Sequence, residues 1–262
     1  MKKYIAIATL LATGSMLASA AQNLTINSST TGNFDQLNGN GNTECNITVT
    51  EDATIDRIDG SGINKLTTIT LIVNENVDFT INGYAKLPFN NTGGTYSTSI
   101  SLKDGATFNV GTLYLGSRNA SYTGITQDTC ITFGAGSSIV AGKISTLPDA
   151  GGASSLTLGV DFTEAMLAGS YSRTLITTTS GFENYVLSDF SFSDVGALNE
   201  KGYRNIGFIE DISKLQGKGK QYGILYTGTT MSFVATIPEP SAFGLLAGLG
   251  ALALVGTRRR RR

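Results

Sequence analysis

The chain has 262 residues, with 19 Lys+Arg, 20 Asp+Glu, two Cys, no Trp and no His. Without His, no Ser-His-Asp triad, Cys-His dyad or His-bearing zinc site can be built. Charged residues make up only 15%, and abundant glycine (32) and threonine favour strands and turns over helices.

Residues 1–21 read as a secretory signal peptide. Lys2 and Lys3 form a positive start, Ile5 to Leu17 an apolar stretch, and Ala18-Ser19-Ala20 a small-x-small exit, with cleavage after Ala20 or Ala21. A retained membrane anchor is the competing reading; the short apolar stretch and the small-residue exit argue for cleavage. The first cysteine, Cys45, lies too far downstream for lipoprotein maturation.

Residues 22–162 are predicted to form a repetitive β-rich body. Apolar residues alternate with Thr or Ser in Leu24-Thr25-Ile26, Ile47-Thr48-Val49, Ile69-Thr70-Leu71, Ile100-Ser101-Leu102, Ile131-Thr132-Phe133 and Leu156-Thr157-Leu158. A period of two places one face inward and one in water, and Gly, Asn and Asp fill the breaks. The stretch Ile100–Leu113 repeats as Ile131–Ile144 at an offset of 31. Ile100, Leu102, Gly105, Phe108, Gly111 and Leu113 fall on Ile131, Phe133, Gly136, Ile139, Gly142 and Ile144. Looser copies upstream put Ala53, Val77, Ala106 and Ser137 at equivalent places, spaced 24, 29 and 31. The predicted class is therefore all-β, a right-handed parallel β-helix or solenoid whose irregular spacing reflects loops between coils. An antiparallel β-sandwich of repetitive hairpins is the alternative. The segment Gly105–Val110 (GATFNV) resembles the Gly-Ala-Thr-rich repeats of bacterial surface passenger domains.

Candidate chemistry in the body is sparse. Asp52, Asp56 and Asp59 cluster around Arg57, and polysaccharide lyases built on β-helices use carboxylate-bound calcium with a basic residue. Calcium wants six to eight oxygens, of which three spaced acids supply part; a solvated turn is the plainer account. Asp149 and Asp161 are acids for glycoside hydrolysis only if the fold brings a carboxyl pair together. Asn23, Asn46 and Asn119 begin Asn-x-Ser/Thr triplets, which are common by chance in such a composition. Lys218 and Lys220 lack the following Ser/Thr of a phosphate loop. Cys45 and Cys130 are free to oxidise outside the cell. In a solenoid they stand three coils apart, about 14 Å, too far for a disulfide; in a sandwich a bridge is feasible.

Residues 163–236 carry more aromatics and charge, and are predicted as a β-rich cap or small subdomain, with a sugar-binding module as the functional alternative. Thr163–Ala168 fits a helical turn or two. Gly223–Tyr226 and Met231–Val234 read as a final hairpin around Thr227-Gly228-Thr229.

Residues 237–262 have three parts: Pro238-Glu239-Pro240, the uncharged stretch Ser241–Thr257, and five arginines, Arg258, Arg259, Arg260, Arg261 and Arg262. A 17-residue helix is about 25 Å long, enough for a slightly thin bilayer core. Each arginine at the bilayer centre costs about 2.5–3.5 kcal/mol, so the cluster acts as a cytoplasmic stop-transfer signal. Removing Lys2, Lys3 and the five tail arginines from the 19 basic residues, and Glu239 from the 20 acidic ones, leaves 12 against 19. The body is therefore −7, without the basic surface that nucleic acid or anionic lipid needs.

This tail resembles the PEP-CTERM sorting signal of Gram-negative bacteria. The resemblance implies recognition by an exosortase after export by the secretion machinery, cleavage near the motif, and release or re-attachment of the body at the cell surface or in the extracellular matrix. It also implies a setting rich in exopolysaccharide and biofilm. A permanent tail anchor is the competing account; a sortase signal lacks its motif here, and a lipid-anchor signal would not end in arginines. The expected role is structural or adhesive and non-enzymatic, with no cofactor, and with extracellular polysaccharide as a further partner. The alternative is a carbohydrate-active or polysaccharide-binding β-helix protein.

Overall fold

The computed structural model describes residues 21–34, 43–59, 66–87, 94–115, 125–145, 153–160, 171–183, 190–194, 198, 200, 202–215 and 219–236. Strands form where the sequence alternates, and burial follows the same period: Thr68–Val73 and Glu44–Val49 turn every second side chain inward.

The strands assemble into two sheets. The first contains β1 (Gln22–Ile26), β3 (Glu44–Val49), β6 (Thr68–Val73), β8 (Gly94–Leu102), β10 (Ile125–Phe133), β12 (Ala153–Val160) and β15 (Phe190–Asp194), in that spatial order. The second begins with β2 (Asn33–Phe34), β5 (Arg57–Asp59), β7 (Asp78–Lys86), β9 (Thr107–Tyr114), β11 (Ser138–Ser145) and β13 (Tyr171–Thr178). It ends with β18 (Thr230–Thr236), β17 (Gln221–Tyr226) and β16 (Arg204–Ile209). Two short strands join it at the side: β4 (Ala53–Ile55) pairs with β7, and β14 (Phe182–Glu183) with β11. From β1 to β13 the chain passes alternately between the sheets, and each pass lays a strand parallel to the one before it.

The protein is thus all-β, with one parallel and one mixed sheet. The body strands do not pair antiparallel, as the sandwich alternative requires. Among the described residues, antiparallel pairing is confined to β13 with β18 and β17 with β18. The latter pair is the predicted hairpin, with Gly228 at φ +87° in its turn. Among the described residues no helix is long and apolar enough to cross a membrane; Ser241–Thr257 and Thr163–Ala168 lie outside them.

The offset of 31 appears directly in the pairing: Ile131 opposes Ile100, Phe133 Leu102, Ile139 Phe108, and Ile144 Leu113. The upstream expectation for Ala53 is corrected. Ala53 opposes Phe79, not Val77, because the chain takes four residues from Val49 to Ala53 but six from Val73 to Phe79. The later turns between the sheets stack. Val77 donates to Asn74 O, Ala106 to Lys103 O and Ser137 to Gly134 O, at 3.3, 3.1 and 3.2 Å. Gly105, at φ +69°, occupies the left-handed position that glycine tolerates best, and its N–H donates to Ala135 O of the next turn at 2.7 Å. The Arg173 guanidinium donates to the carbonyls of Gly134 and Ser137, tying β13 to this turn.

The strands of the second sheet bend midway. In β9, Phe108 and Val110 point inward, two half-buried residues follow, and Leu113 points inward again. Gly111 stands at this corner, where a Cβ would press against the Gly83 carbonyl of the preceding strand. The corner therefore needs glycine for close backbone approach.

One hydrophobic core runs from Ile26 to Ala235. Its side chains stack by register, as in Ile47–Leu71–Ile100–Ile131 and Ala53–Phe79–Phe108–Ile139–Ile176. Thr98 and Thr129 interrupt a neighbouring column. They oppose each other, are each 2% exposed, and their hydroxyls have no hydrogen-bond partner. Valine keeps the shape and removes the orphaned group. Thr98→Val and Thr129→Val are each expected to leave stability unchanged or raise it by up to about 1 kcal/mol. Urea unfolding checks this, and a fall of either midpoint by a similar amount would contradict it.

Candidate functional site

The three carboxylates proposed for calcium are spread over the ends of two short strands, β4 and β5. Asp52 is exposed and accepts a hydrogen bond from the Asp78 amide at 2.8 Å. Asp56 lies exposed between β4 and β5, and its backbone carbonyl accepts from the Gly83 amide at 2.8 Å. Asp59 accepts from the Tyr84 hydroxyl at 2.8 Å and pairs with Lys86 at 3.4 Å. Among the described residues no group of three or more Asp, Glu or Cys is placed to hold a metal ion; the Asp52 carboxylate meets a backbone amide and Asp59 a hydroxyl and an ammonium. Asp149, Asp161, Asn119 and Lys218 lie outside the described residues.

Both cysteines are free. The register column of Cys45 runs through Ile69 and Thr98 to Thr129, which places Cys130 three ladder steps away, about 14 Å at 4.8 Å per step. Cys45 is buried, whereas Cys130, one residue beyond Thr129, turns to the other face. Burial pushes the Cys45 thiol up to about 11 and keeps it protonated. A thiol-specific reagent at neutral pH should therefore titrate one cysteine per native chain and two after unfolding. Two reactive thiols in the native chain, or none after denaturation without reductant, would contradict this placement.

The outer face of the first sheet carries mostly small polar side chains, interrupted by Ile72 and Cys130. One register column reads Asn23–Asn46–Thr70–Ser99–Cys130, and the next Thr25–Thr48–Ile72–Ser101–Thr132. Neighbours bond across the strands: Asn46 donates to Asn23 at 3.0 Å, and Ser97 to Thr68 at 3.2 Å. Such a face presents hydroxyls and amides at the strand spacing, with no charge in these two columns.

A second feature lies at the far edge of the other sheet. β16, the edge strand, and the following 3-10 turn (Ile212–Lys214) border an open cleft of about 560 Å³. Two cations, Arg204 and Lys214, and two acids, Glu210 and Asp211, line it. Ile206, Phe208 and Ile209 supply apolar wall. Asp211 caps the 3-10 turn: its carboxylate accepts from the Ser213 amide at 2.8 Å, a bond that holds its pKa below the usual carboxylate range. Gln221, at the start of β17 and opposite Arg204, is 3% exposed, and its Oε1 has no hydrogen-bond partner. Of these residues the sequence marks Phe208 alone, as one of the aromatics concentrated in residues 163–236. Arg204 and Gln221 are brought together only by β16–β17 pairing, and no motif marks them.

The last position of β18, Thr236, pairs with Gln221, so the tail leaves the described structure from this strand end. Residues 236–261 match the PEP-CTERM protein-sorting motif. No curated protein and no solved structure matched the chain. The PEP-CTERM motif implies export, exosortase-dependent processing, and membrane-associated sorting in a Gram-negative bacterium. Pro238, Glu239, Pro240 and Arg258–Arg261 fall within the matched span; together with Arg262 and the cleavage residue Ala20 they lie outside the described residues.

Proposed function

We propose that the chain is an exported β-solenoid scaffold, delivered by a cleaved N-terminal signal and sorted through its C-terminal motif, whose role at the cell surface or in the matrix is structural or adhesive rather than enzymatic. The observation that carries this reading is the sorting motif at residues 236–261 on a chain whose strands pass alternately between two sheets in parallel register. Residues 22–162 are the stacked body and 163–236 its cap; exosortase cuts near Pro238–Pro240, while the arginines hold the tail on the cytoplasmic side. The polar columns of the first sheet give an adhesive surface matched to hydroxyl-rich polymers, and extracellular polysaccharide is the proposed contact. Incubating the purified full-length chain with polysaccharides, with and without calcium, tests the role. Co-sedimentation without turnover is expected. Reproducible turnover abolished by Asp56→Ala would replace this reading with a carbohydrate-active enzyme.

A further inference from the structure

We propose that the cleft bordered by β16 and the 3-10 turn is a binding site for a neutral saccharide chain, with Gln221 as the acceptor that reads a sugar hydroxyl. This rests on the reading of the protein as a polysaccharide-contacting scaffold and names where contact is specific.

A buried amide oxygen without a donor is costly, and native proteins rarely leave one unless water, an ion or a ligand completes it. Gln221 is 3% exposed, its Oε1 is unpartnered, and it lines the cleft. A group that completes this oxygen on a small shift of the side chain has to donate, which a hydroxyl does and a carboxylate or phosphate does not. The charges point the same way. Arg204 and Lys214 are balanced by Glu210 and Asp211 on the same walls, so a polyanion meets two carboxylates and a polycation two cations. A sugar ring suits both: its hydroxyls donate to the acids and accept from the cations, and its C–H face lies on Phe208 and the neighbouring isoleucines.

A peptide strand added to the edge is disfavoured by the strand itself. Pairing of β16 with β17 slips between Asn205 and Phe208, and the Asn205 side chain takes the Gly207 amide at 2.8 Å. A bulge of this kind breaks the row of backbone groups that strand addition needs.

The test uses the full-length chain in zwitterionic detergent, titrated by calorimetry with cellotetraose, chitotetraose and mannotetraose, and with tetragalacturonate as the anionic probe. Saturable binding of at least one neutral probe is expected, about tenfold weaker in Gln221→Leu and several-fold weaker in Lys214→Ala. Val140→Thr, at an exposed site on β11 outside the cleft lining, should bind as the parent does. Circular dichroism confirms folding, and Lys214, exposed at the cleft rim, serves if the leucine variant is misfolded. Equal binding by the parent and both cleft variants, or preference for tetragalacturonate, would overturn the cleft assignment while leaving the adhesive reading in place. Absence of binding to every oligosaccharide and every polysaccharide would overturn both.

Discussion

Phe108→Ala is expected to cost about 3–5 kcal/mol of unfolding free energy, among the largest effects of any single substitution in the body. Phe108 is fully buried and stacks on Phe79 with ring centroids 5.4 Å apart and planes 9° from parallel. Ile139 opposes it from the following strand. The site collapses poorly once the ring is gone, because backbone ladders on both sides fix the spacing of the strands, and an uncollapsed cavity adds to the lost transfer energy. Loss of this packing also weakens the neighbouring strands, since β9 pairs with β7 on one side and β11 on the other. Val140→Ala, on the outward side of β11 at 44% exposure, should by contrast shift stability by less than about 0.5 kcal/mol. Urea unfolding of the two variants gives the comparison. Similar midpoints would mean that the Phe79–Phe108 column does not form the centre of the core.

Deleting Pro238–Arg262 is expected to abolish surface placement and send the protein to the soluble exported fraction. The deletion removes nearly all of the match at residues 236–261 while sparing every described strand. Its arginines are expected to matter because each costs about 2.5–3.5 kcal/mol at the bilayer centre, a cost that would hold them on the cytoplasmic side. Replacing Arg258–Arg262 with serine should impair sorting less completely, by letting the segment slip across while the Pro-Glu-Pro site persists. Fractionation of the native host, with immunodetection of the body, distinguishes the three chains. An unchanged distribution of the deletion would remove the sorting role.

Much of the fold was legible because stacked strands repeat their chemistry. The pair Ile100/Ile131 and the pair Gly111/Gly142 share an offset, and in a parallel ladder a constant offset is a register. Ala53 was misplaced because the first turn is two residues shorter, and short turns leave no hydrophobic signature. Asp52, Asp56 and Asp59 look like a cluster in sequence, yet the corner at Asp56 sends Asp52 to the Asp78 amide and Asp59 to Tyr84 and Lys86. The disulfide question resolved through geometry: Cys45 and Cys130 sit on different faces of one sheet, which period-two alternation decides only once the register is known. The cleft was legible only as an aromatic-rich segment with sugar binding as its alternative role. Its residues gain meaning from the pairing of β16 with β17, from a bulge at Asn205, and from an amide oxygen left without a partner.

This acidic β-body is expected to be exported and then separated from its tail. Mass spectrometry of the mature protein from its native host reads both ends of the chain. The account predicts an N-terminus at Ala21 or Gln22 and a C-terminus near Pro238–Pro240, with Arg258–Arg262 missing from most molecules. Intact tail arginines on most molecules would contradict it and make the C-terminal segment a permanent anchor.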